Sequence, residues 1–216
     1  SSTFYPTLAA LVGSEEGMHS TITIAALIVD CCGDSNPATR KFACFAVGNA
    51  AFHDASLYAL LAPAIPALKR ALHDDDDKTR ANASGALGNL GRNSGELAKV
   101  MAAQQVPHAI LKIIMTDGST SDPGTDTHMS HIAFDSKSSN ISSKRTALFS
   151  LGTLSAYASC RETLRSCKQP SLQDLFDSVT ASQTQREHDN GPGVDETFAK
   201  YLTRLKTKIK SRAQPQ

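Results

Sequence analysis

The chain repeats one pattern of small and apolar residues at a spacing of forty. Residues 40–50 read RKFACFAVGNA, and residues 80–90 read RANASGALGNL. Arg, two Ala, Gly and Asn recur at the same positions of the two segments. A fixed period of about this length is the signature of stacked helical repeats, in which each unit buries its apolar face against its neighbours. The repeat therefore predicts an all-α fold built by stacking.

Two further copies of the pattern follow at longer intervals. Residues 144–154 read KRTALFSLGTL, and a weaker copy keeps only the spacing of Phe198, Leu202 and Leu205. A Ser/Thr/Asp/Gly-rich insertion of about residues 117–141 explains the longer interval before the third copy. We expect this insertion to be a mobile loop that limited proteolysis cuts first.

A second apolar segment precedes each copy, at residues 22–32, 65–72, 106–115 and 172–179. Pro66 and Pro107 stand near the start of two of these segments, where proline is compatible with a helix. The unit is therefore predicted to be a short helix, a helix and a long helix. We expect residues 1–216 to form one domain of about three full repeats plus partial end repeats, with a linker at about 181–194 and a basic helix at about 195–211.

Composition excludes several classes of function. Lys plus Arg number 22 against 21 Asp plus Glu, so charge gives no reason to expect a nucleic-acid partner. The longest apolar stretch, residues 22–32, is too short for the ~20 residues of a membrane span. Five cysteines, with Cys31 and Cys32 adjacent, fit no disulfide framework. We expect a monomeric cytoplasmic chain, cut from a longer protein, in which these cysteines and Cys44 pack as small hydrophobes.

Motifs of catalysis are not found in this sequence. It contains no phosphate-binding loop, no His-Glu-x-x-His, no nucleophile elbow and no kinase motif. Asp126, His128 and His131 have a spacing that a zinc site uses, but a loop without cysteine is more typical of solvated side chains. The run Asp74 to Asp77 is better suited to capping the next helix than to binding a metal. We expect no cofactor, no metal and no catalytic residue.

Two faces can be separated on the long helices, because residues four apart lie on the same side. Ala43, Val47 and Ala50 form an apolar face, which recurs as Ala83, Leu87 and Leu90 and packs on the preceding helix. Gly48, Gly88 and Gly152 recur at a cost to helix stability, which indicates close helix approach. The other face is the candidate partner-binding groove, formed by Lys41, Phe45, Asn49, His53, Asn89, Asn93, Arg145, Phe149 and Tyr157.

Alternatives remain open for several of these groove residues. The Asn amides either bind a ligand or bridge neighbouring repeats, and Thr153 interrupts their series. The aromatic side chains either anchor a partner or are buried by a neighbouring repeat or the terminal helix. The cations of the C-terminal segment either form a solvated end helix or contact an acidic polymer. These are Lys200, Arg204, Lys206, Lys208, Lys210 and Arg212.

Two segments carry a resemblance to known families. IPALKRALHDDDDKTRANASGALGNLGRN resembles an armadillo repeat, which implies a right-handed armadillo/HEAT-like superhelix whose long helices line a concave groove. KFACFAVGNAAFHDASLY and KTRANASGALGNLGRNSGEL resemble the C-terminal helical-repeat region of Fused-type serine/threonine kinases.

The second resemblance implies a non-catalytic scaffold in a protein that carries a kinase domain elsewhere. It further implies Hedgehog signalling or motile-cilium assembly, kinesin-like or ciliary partners, and an association with the cilium or cytoskeleton. The alternative is a generic armadillo adaptor that binds an extended peptide, as transport receptors do.

Overall fold

The computed structural model describes residues 24–115, 141–188 and 196–210, apart from the side chains of 182–188. All regular structure in these ranges is helical, which confirms the predicted all-α helical-repeat fold. The helices are α1 (24–31), α2 (Pro37–His53), α3 (Tyr58–Leu61), α4 (Ile65–Ala71), α5 (Asp77–Gly91), α6 (Gly95–Ala103), α7 (Val106–Met115), α8 (Ile141–Leu154), α9 (Ala158–Ser166), α10 (Leu172–His188) and α11 (Glu196–Lys210).

The starts of α2 and α5 are fixed by local caps at repeat-equivalent positions. The Asn36 side chain accepts hydrogen bonds from the backbone N–H groups of Ala38 and Thr39 at the start of α2. The Asp76 side chain accepts one from the N–H of Thr79 at the start of α5. Side-chain acceptors at this position satisfy N–H groups that the helix itself leaves without partners. The cap therefore sets the same register in both repeats.

The long helices α2, α5 and α8 stack side by side, and α11 extends the stack beyond α8. Helix α4 packs on α5, and α7 packs on α8, so that a second layer covers one side of the stack. The predicted packing face is confirmed, because Val47, Leu87 and Leu151 are fully buried. The weak fourth copy is part of this core, since Phe198, Leu202 and Leu205 are also buried.

The recurring glycines do not share one role. A Cβ atom added at Gly88 would lie 2.8 Å from the Cβ of Ser150, so α5 and α8 approach closely there. At Gly48 the nearest atoms would belong to Ala86, at an ordinary 3.4 Å. A Cβ added at Gly152 would meet nothing within 4 Å, so the prediction of close approach is wrong at that position. The neighbouring helix, rather than the repeat pattern, decides how near each glycine lies.

An ion pair joins the first two repeats. The Arg40 guanidinium binds the Asp74 carboxylate at 2.8 Å, and it also donates to the backbone carbonyls of Asp34 and Ser35. Arg80 repeats the carbonyl contacts one repeat later, and it also pairs with Asp77. Asp76 caps α5, as predicted for this aspartate run, and Asp74 and Asp77 pair with Arg40 and Arg80.

Two boundaries of the predicted domain plan can be compared with the structure. Helix α10 runs to His188, so residues 181–188 of the linker expected at about 181–194 are helical, and residues 189–194 lie outside the described residues. Gln, Arg and Glu in residues 181–188 are compatible with a helix interior, which explains the extension. The basic helix expected at about 195–211 is found as Glu196–Lys210. The insertion expected at about 117–141 lies almost entirely outside the described residues.

The cysteine side chains of the described residues are free thiols, and Cys32, Cys44 and Cys160 are buried. The hydrogen bond with Cys44, together with burial, raises the pKa of the Cys32 thiol, and burial raises the pKa of Cys160 to about 11. A raised pKa disfavours the thiolate that reacts as a nucleophile.

Within residues 24–115, 141–188 and 196–210, no helix is long and apolar enough to cross a membrane.

Candidate functional site

The candidate groove residues on α2 lie at its surface. The ring of Phe45 is 55% exposed, and His53 is also exposed. Lys41 and Asn49 are half-buried. The Asn49 side-chain amide donates to the carbonyl of Phe45 within its own helix, at 3.1 Å.

The equivalent amide in α5 is a bridge between repeats. Asn89 donates from Nδ2 to the carbonyl oxygen of Gly48 at 2.9 Å, and Asn82 donates to that of Lys41 at 3.1 Å. The carbonyl of Asn89 in turn accepts a hydrogen bond from the Tyr58 hydroxyl. These contacts favour the alternative in which Asn89 holds α5 against α2. Asn93, beyond the end of α5, is exposed.

The groove residues on and after α8 are partly covered. Phe149 is half-buried, and its ring lies 5.3 Å from that of Tyr201 in α11. The Arg204 guanidinium lies 6.0 Å from the same ring. Tyr157 is half-buried, and its hydroxyl donates to the carbonyl of Arg92 at 3.0 Å. Arg145 is half-buried as well. Contacts with α11 and with Arg92 therefore cover part of the predicted groove at its α8 end.

Sequence reasoning missed an aromatic patch, formed by Phe42, Phe45 and Phe52 on α2. Phe42 is 66% exposed and Phe52 is 54% exposed. Cations lie over both rings: Lys41 Nζ is 5.6 Å from the Phe42 centroid, and the Arg92 guanidinium is 5.3 Å from the Phe52 centroid. The signal was available, because the offsets of three and seven between these phenylalanines are those of one helix side.

The cations of α11 are mostly occupied by contacts within the chain. Arg204 lies over Phe149, Lys206 lies 4.8 Å from the centroid of the Phe176 ring, and Lys208 donates to the Gly152 carbonyl at 2.7 Å. Burial lowers the pKa of Lys208. Helix α11 is therefore packed on the stack through Phe198, Leu202 and Leu205, while Lys200, Arg204 and Lys210 are exposed to solvent. Arg212 lies outside the described residues.

Metal-binding side chains do not converge in the structured parts of the chain. Among residues 24–115, 141–188 and 196–210, no three His, Cys, Asp or Glu side chains are placed to hold an ion. Asp126, His128 and His131 lie outside the described residues, so the structure does not test that candidate.

Comparison with known proteins agrees with the stacked geometry. The family model for a HEAT-like repeat matches residues 25–90. These residues are similar to HEAT-like repeats. An 85-residue segment is 44% identical to Serine/threonine-protein kinase 36 of Mus musculus and 39% identical to that of Pongo abelii. The match covers 39% of this chain and 6% of each relative, in a part of the relatives that is not the kinase domain.

The resemblance to a Fused-type repeat region, inferred from sequence, is thereby confirmed. The HEAT-like segment extends from α1 to α5, so the aromatic patch lies within it. Lys41 and Arg92 give the edges of the patch a positive charge.

Proposed function

We propose that this chain is a non-catalytic scaffold, the partner-binding region of a Fused-type serine/threonine kinase. The observation that carries the proposal is the exposure of the Phe45 and Phe52 rings, at 55% and 54%, on the long helix α2, whose Ala43, Val47 and Ala50 are buried in the stack. Large exposed aromatic side chains are common anchors of protein interfaces, because their burial removes a large apolar area from water.

The partner surface extends from α2 onto the end of α5. Phe45 and Phe52 would supply the apolar contact, and Arg92 stands over the Phe52 ring. A guanidinium stacked on an aromatic ring keeps its hydrogen-bond donors free at its edge, where an acidic group of the partner can bind. Lys41 adds a second cation at the other end of the patch. A protein partner with an apolar segment and acidic flanks fits this arrangement.

The same proposal includes a role in Hedgehog signalling or cilium assembly, kinesin-like partners, and a cytoplasmic or ciliary location. Their support is the similarity to Serine/threonine-protein kinase 36. The competing hypothesis of a generic adaptor for extended peptides is less favoured, because the Asn89 amide already donates to Gly48. Sequencing of the complete transcript checks the kinase part of the proposal: the reading frame upstream of Ser1 should encode a kinase domain.

The binding role is tested by a paired substitution with a matched control. Phe45→Ser combined with Phe52→Ser removes both rings, while Val100→Ser removes an exposed apolar side chain on α6, which is 42% exposed. All three sites are exposed, so each variant should melt like the parent. Partners captured from an extract of ciliated cells are then quantified by mass spectrometry.

We expect the double variant to lose at least one specific partner that the parent and Val100→Ser both retain. Retention of every parental partner by a stable double variant would show that the aromatic patch is not the binding surface. Loss of the same partner in Val100→Ser would show that the assay reports general surface stickiness instead of the patch.

A further inference from the structure

Three arginines share one local geometry. Arg40, Arg80 and Arg161 are each the fourth residue of a helix, in α2, α5 and α9. Each donates from Nη1 to the backbone carbonyls of the residues five and six positions earlier, at 2.7–3.0 Å. The turn before the helix therefore holds one side of the guanidinium and leaves the edge formed by Nε and Nη2 for another partner.

The partner of that edge differs among the three arginines. At Arg40, Nε and Nη2 both donate to one oxygen of the Asp74 carboxylate, at 2.8 Å. At Arg80, Nη2 donates to Asp77 at 3.0 Å. At Arg161, Nε has no hydrogen-bond partner in the part of the chain that the structure describes, although only 6% of the residue is exposed. A buried guanidinium usually pairs with an anion, because removing its charge from water is costly. Arg161 therefore keeps a buried donor that Arg40 uses for a carboxylate.

A second cation lies beside the Arg161 guanidinium. Lys208 of α11 donates from Nζ to the Gly152 carbonyl at 2.7 Å. Gly152 lies in the last turn of α8, three and four residues before the carbonyls that bind Nη1 of Arg161. Burial and the positive charges of Arg204 and Arg161 lower the pKa of Lys208, so the three cations are close enough to repel one another. An added Cβ atom at Gly152 would meet nothing within 4 Å, so unfilled space lies beside this contact.

Two further arginines extend this group of cations. Arg165, one turn after Arg161 on α9, donates from Nη2 to the Ile209 carbonyl of α11 at 2.7 Å. Arg204 lies one turn before Lys208 on α11, and both Arg165 and Arg204 are exposed. The group therefore extends from the buried Nε of Arg161 to the surface between α9 and α11. The cation cluster, as we name it here, consists of Arg161, Arg165, Arg204 and Lys208.

Acidic side chains nearby do not neutralise the cation cluster. Among the described residues, its three arginines form no ion pair with Asp or Glu. Glu162, next to Arg161 on α9, is exposed, and adjacent residues of a helix point in different directions. Asp174 and Asp177 of α10 already accept hydrogen bonds from residues three and four positions earlier. The cluster therefore carries a positive charge that a bound anion would balance.

We propose that the cation cluster binds a phosphate group, with the Nε and Nη2 edge of Arg161 and the Lys208 ammonium as the direct donors. The planar fork of a guanidinium matches two oxygens of a phosphate, as it matches a carboxylate. A phosphate group carries about 1.5–2 negative charges at pH 7, so a cluster of cations favours it over a singly charged carboxylate.

Two sources supply this group: inorganic phosphate and a phosphorylated side chain of a protein partner. The cation cluster lies between α9 and α11, while the proposed partner surface extends from α2 onto the end of α5. Phosphate binding can therefore fail without affecting the proposed function, and the two can be tested separately.

Isothermal titration calorimetry of the full chain tests the proposal and distinguishes the two sources. The probes are inorganic phosphate, a blocked pentapeptide with phosphoserine between alanines, and the same peptide with glutamate in that place, all at one ionic strength. Lys208→Gln removes a direct donor. Lys210→Gln is the matched control, because it removes an exposed charge from the opposite side of the same helix.

We expect the parent to bind the phosphate-bearing probes saturably. Lys208→Gln should weaken this binding at least about tenfold, through the loss of a charge-assisted hydrogen bond, and Lys210→Gln should leave it unchanged. Tighter binding of the phosphoserine peptide than of inorganic phosphate would identify a phosphorylated partner as the source. The reverse order would identify free phosphate.

Three results would overturn the proposal. The first is that neither phosphate-bearing probe binds saturably to the parent. The second is equal binding by Lys208→Gln and Lys210→Gln, which would place any bound phosphate elsewhere. The third is that the glutamate peptide binds as tightly as the phosphoserine peptide, which would make the cluster a carboxylate site.

Thermal melting checks that each variant is folded, because the contact of Lys208 with Gly152 also holds α11 on α8. If Lys208→Gln does not fold, Arg204→Gln replaces it, since Arg204 is exposed. Arg204→Gln should weaken phosphate binding relative to Lys210→Gln. Equal binding by these two variants would then overturn the proposal.

Discussion

The close approach of α5 and α8 at Gly88 leads to the sharpest prediction. A Cβ atom at Gly88 would lie 2.5 Å from Oγ, 2.8 Å from Cβ and 3.1 Å from Cα of Ser150. Rotation of the Ser150 side chain can move Oγ but neither Cβ nor Cα. Gly88→Ala therefore requires the two helices to move apart. Gly152→Ala is the matched control, because it adds the same atom at a helix position with nothing within 4 Å.

The magnitudes follow from two opposing effects. Replacing Gly by Ala inside a helix favours the folded state by about 1 kcal/mol. Overpacking a well-packed contact costs about 1–3 kcal/mol. Gly152→Ala experiences the first effect alone, so it should stabilise the protein. Gly88→Ala experiences both, so it should be less stable than Gly152→Ala by about 1–3 kcal/mol.

Urea unfolding of the parent, both single variants and a double-mutant cycle with Ser150→Gly measures these energies. Removal of the Ser150 side chain should relieve the clash, which gives a favourable coupling energy between the two sites. The cycle cancels the helix cost of the added glycine. Equal stability of Gly88→Ala and Gly152→Ala, with no coupling to Ser150→Gly, would refute the close approach.

Three further predictions concern the core, a helix cap and a thiol. Leu87→Ala should lower the free energy of unfolding by about 2–5 kcal/mol in chemical denaturation, since Leu87 is fully buried. A loss below about 1 kcal/mol would mean that Leu87 does not lie on the packing face of α5. Asp76→Ala should cost about 0.5–2 kcal/mol. Burial raises the pKa of Asp76, but the hydrogen bonds from Thr79 and the positive charges of Lys41 and Arg80 together lower it overall. The parent's advantage over Asp76→Ala should therefore disappear as pH falls through this lowered pKa. Burial raises the pKa of Cys160 to about 11, so this thiol should resist a thiol reagent at neutral pH while the half-buried Cys31 reacts. The stability that the neutral Cys160 thiol contributes should fall as pH rises from 9.0, the ordinary pKa of the thiol, to about 11.

The repeat frame was predictable because it depends on short-range periodicity. The offsets of four and three between Ala83, Leu87 and Leu90 place the three side chains on one helix face, and all three are buried. The candidate site was predicted less completely. Phe45 is exposed as expected, but Phe52 was missed, although its spacing on α2 belongs to the same side.

The role of Asn89 shows why the rest of the site could not be read from the sequence. Its amide has the same local sequence context as that of Asn49, yet it bonds to Gly48, forty-one residues earlier. A partner at that separation exists only after the helices have stacked. Phe149 is a similar case, because the ring that covers it, Tyr201, belongs to a helix beyond an unpatterned segment.

The sequence by itself determined the period, the buried face of each long helix and the capping role of the aspartate run before α5. These features depend on residues within one or two helical turns, whose geometry is the same in every α-helix. Only the tertiary structure decided that Gly88 is tightly packed and Gly152 is not, and that the aromatic patch on α2 stays open while Phe149 is covered. Those outcomes depend on the distance between helices far apart in sequence, which is set by the packing of the side chains between them.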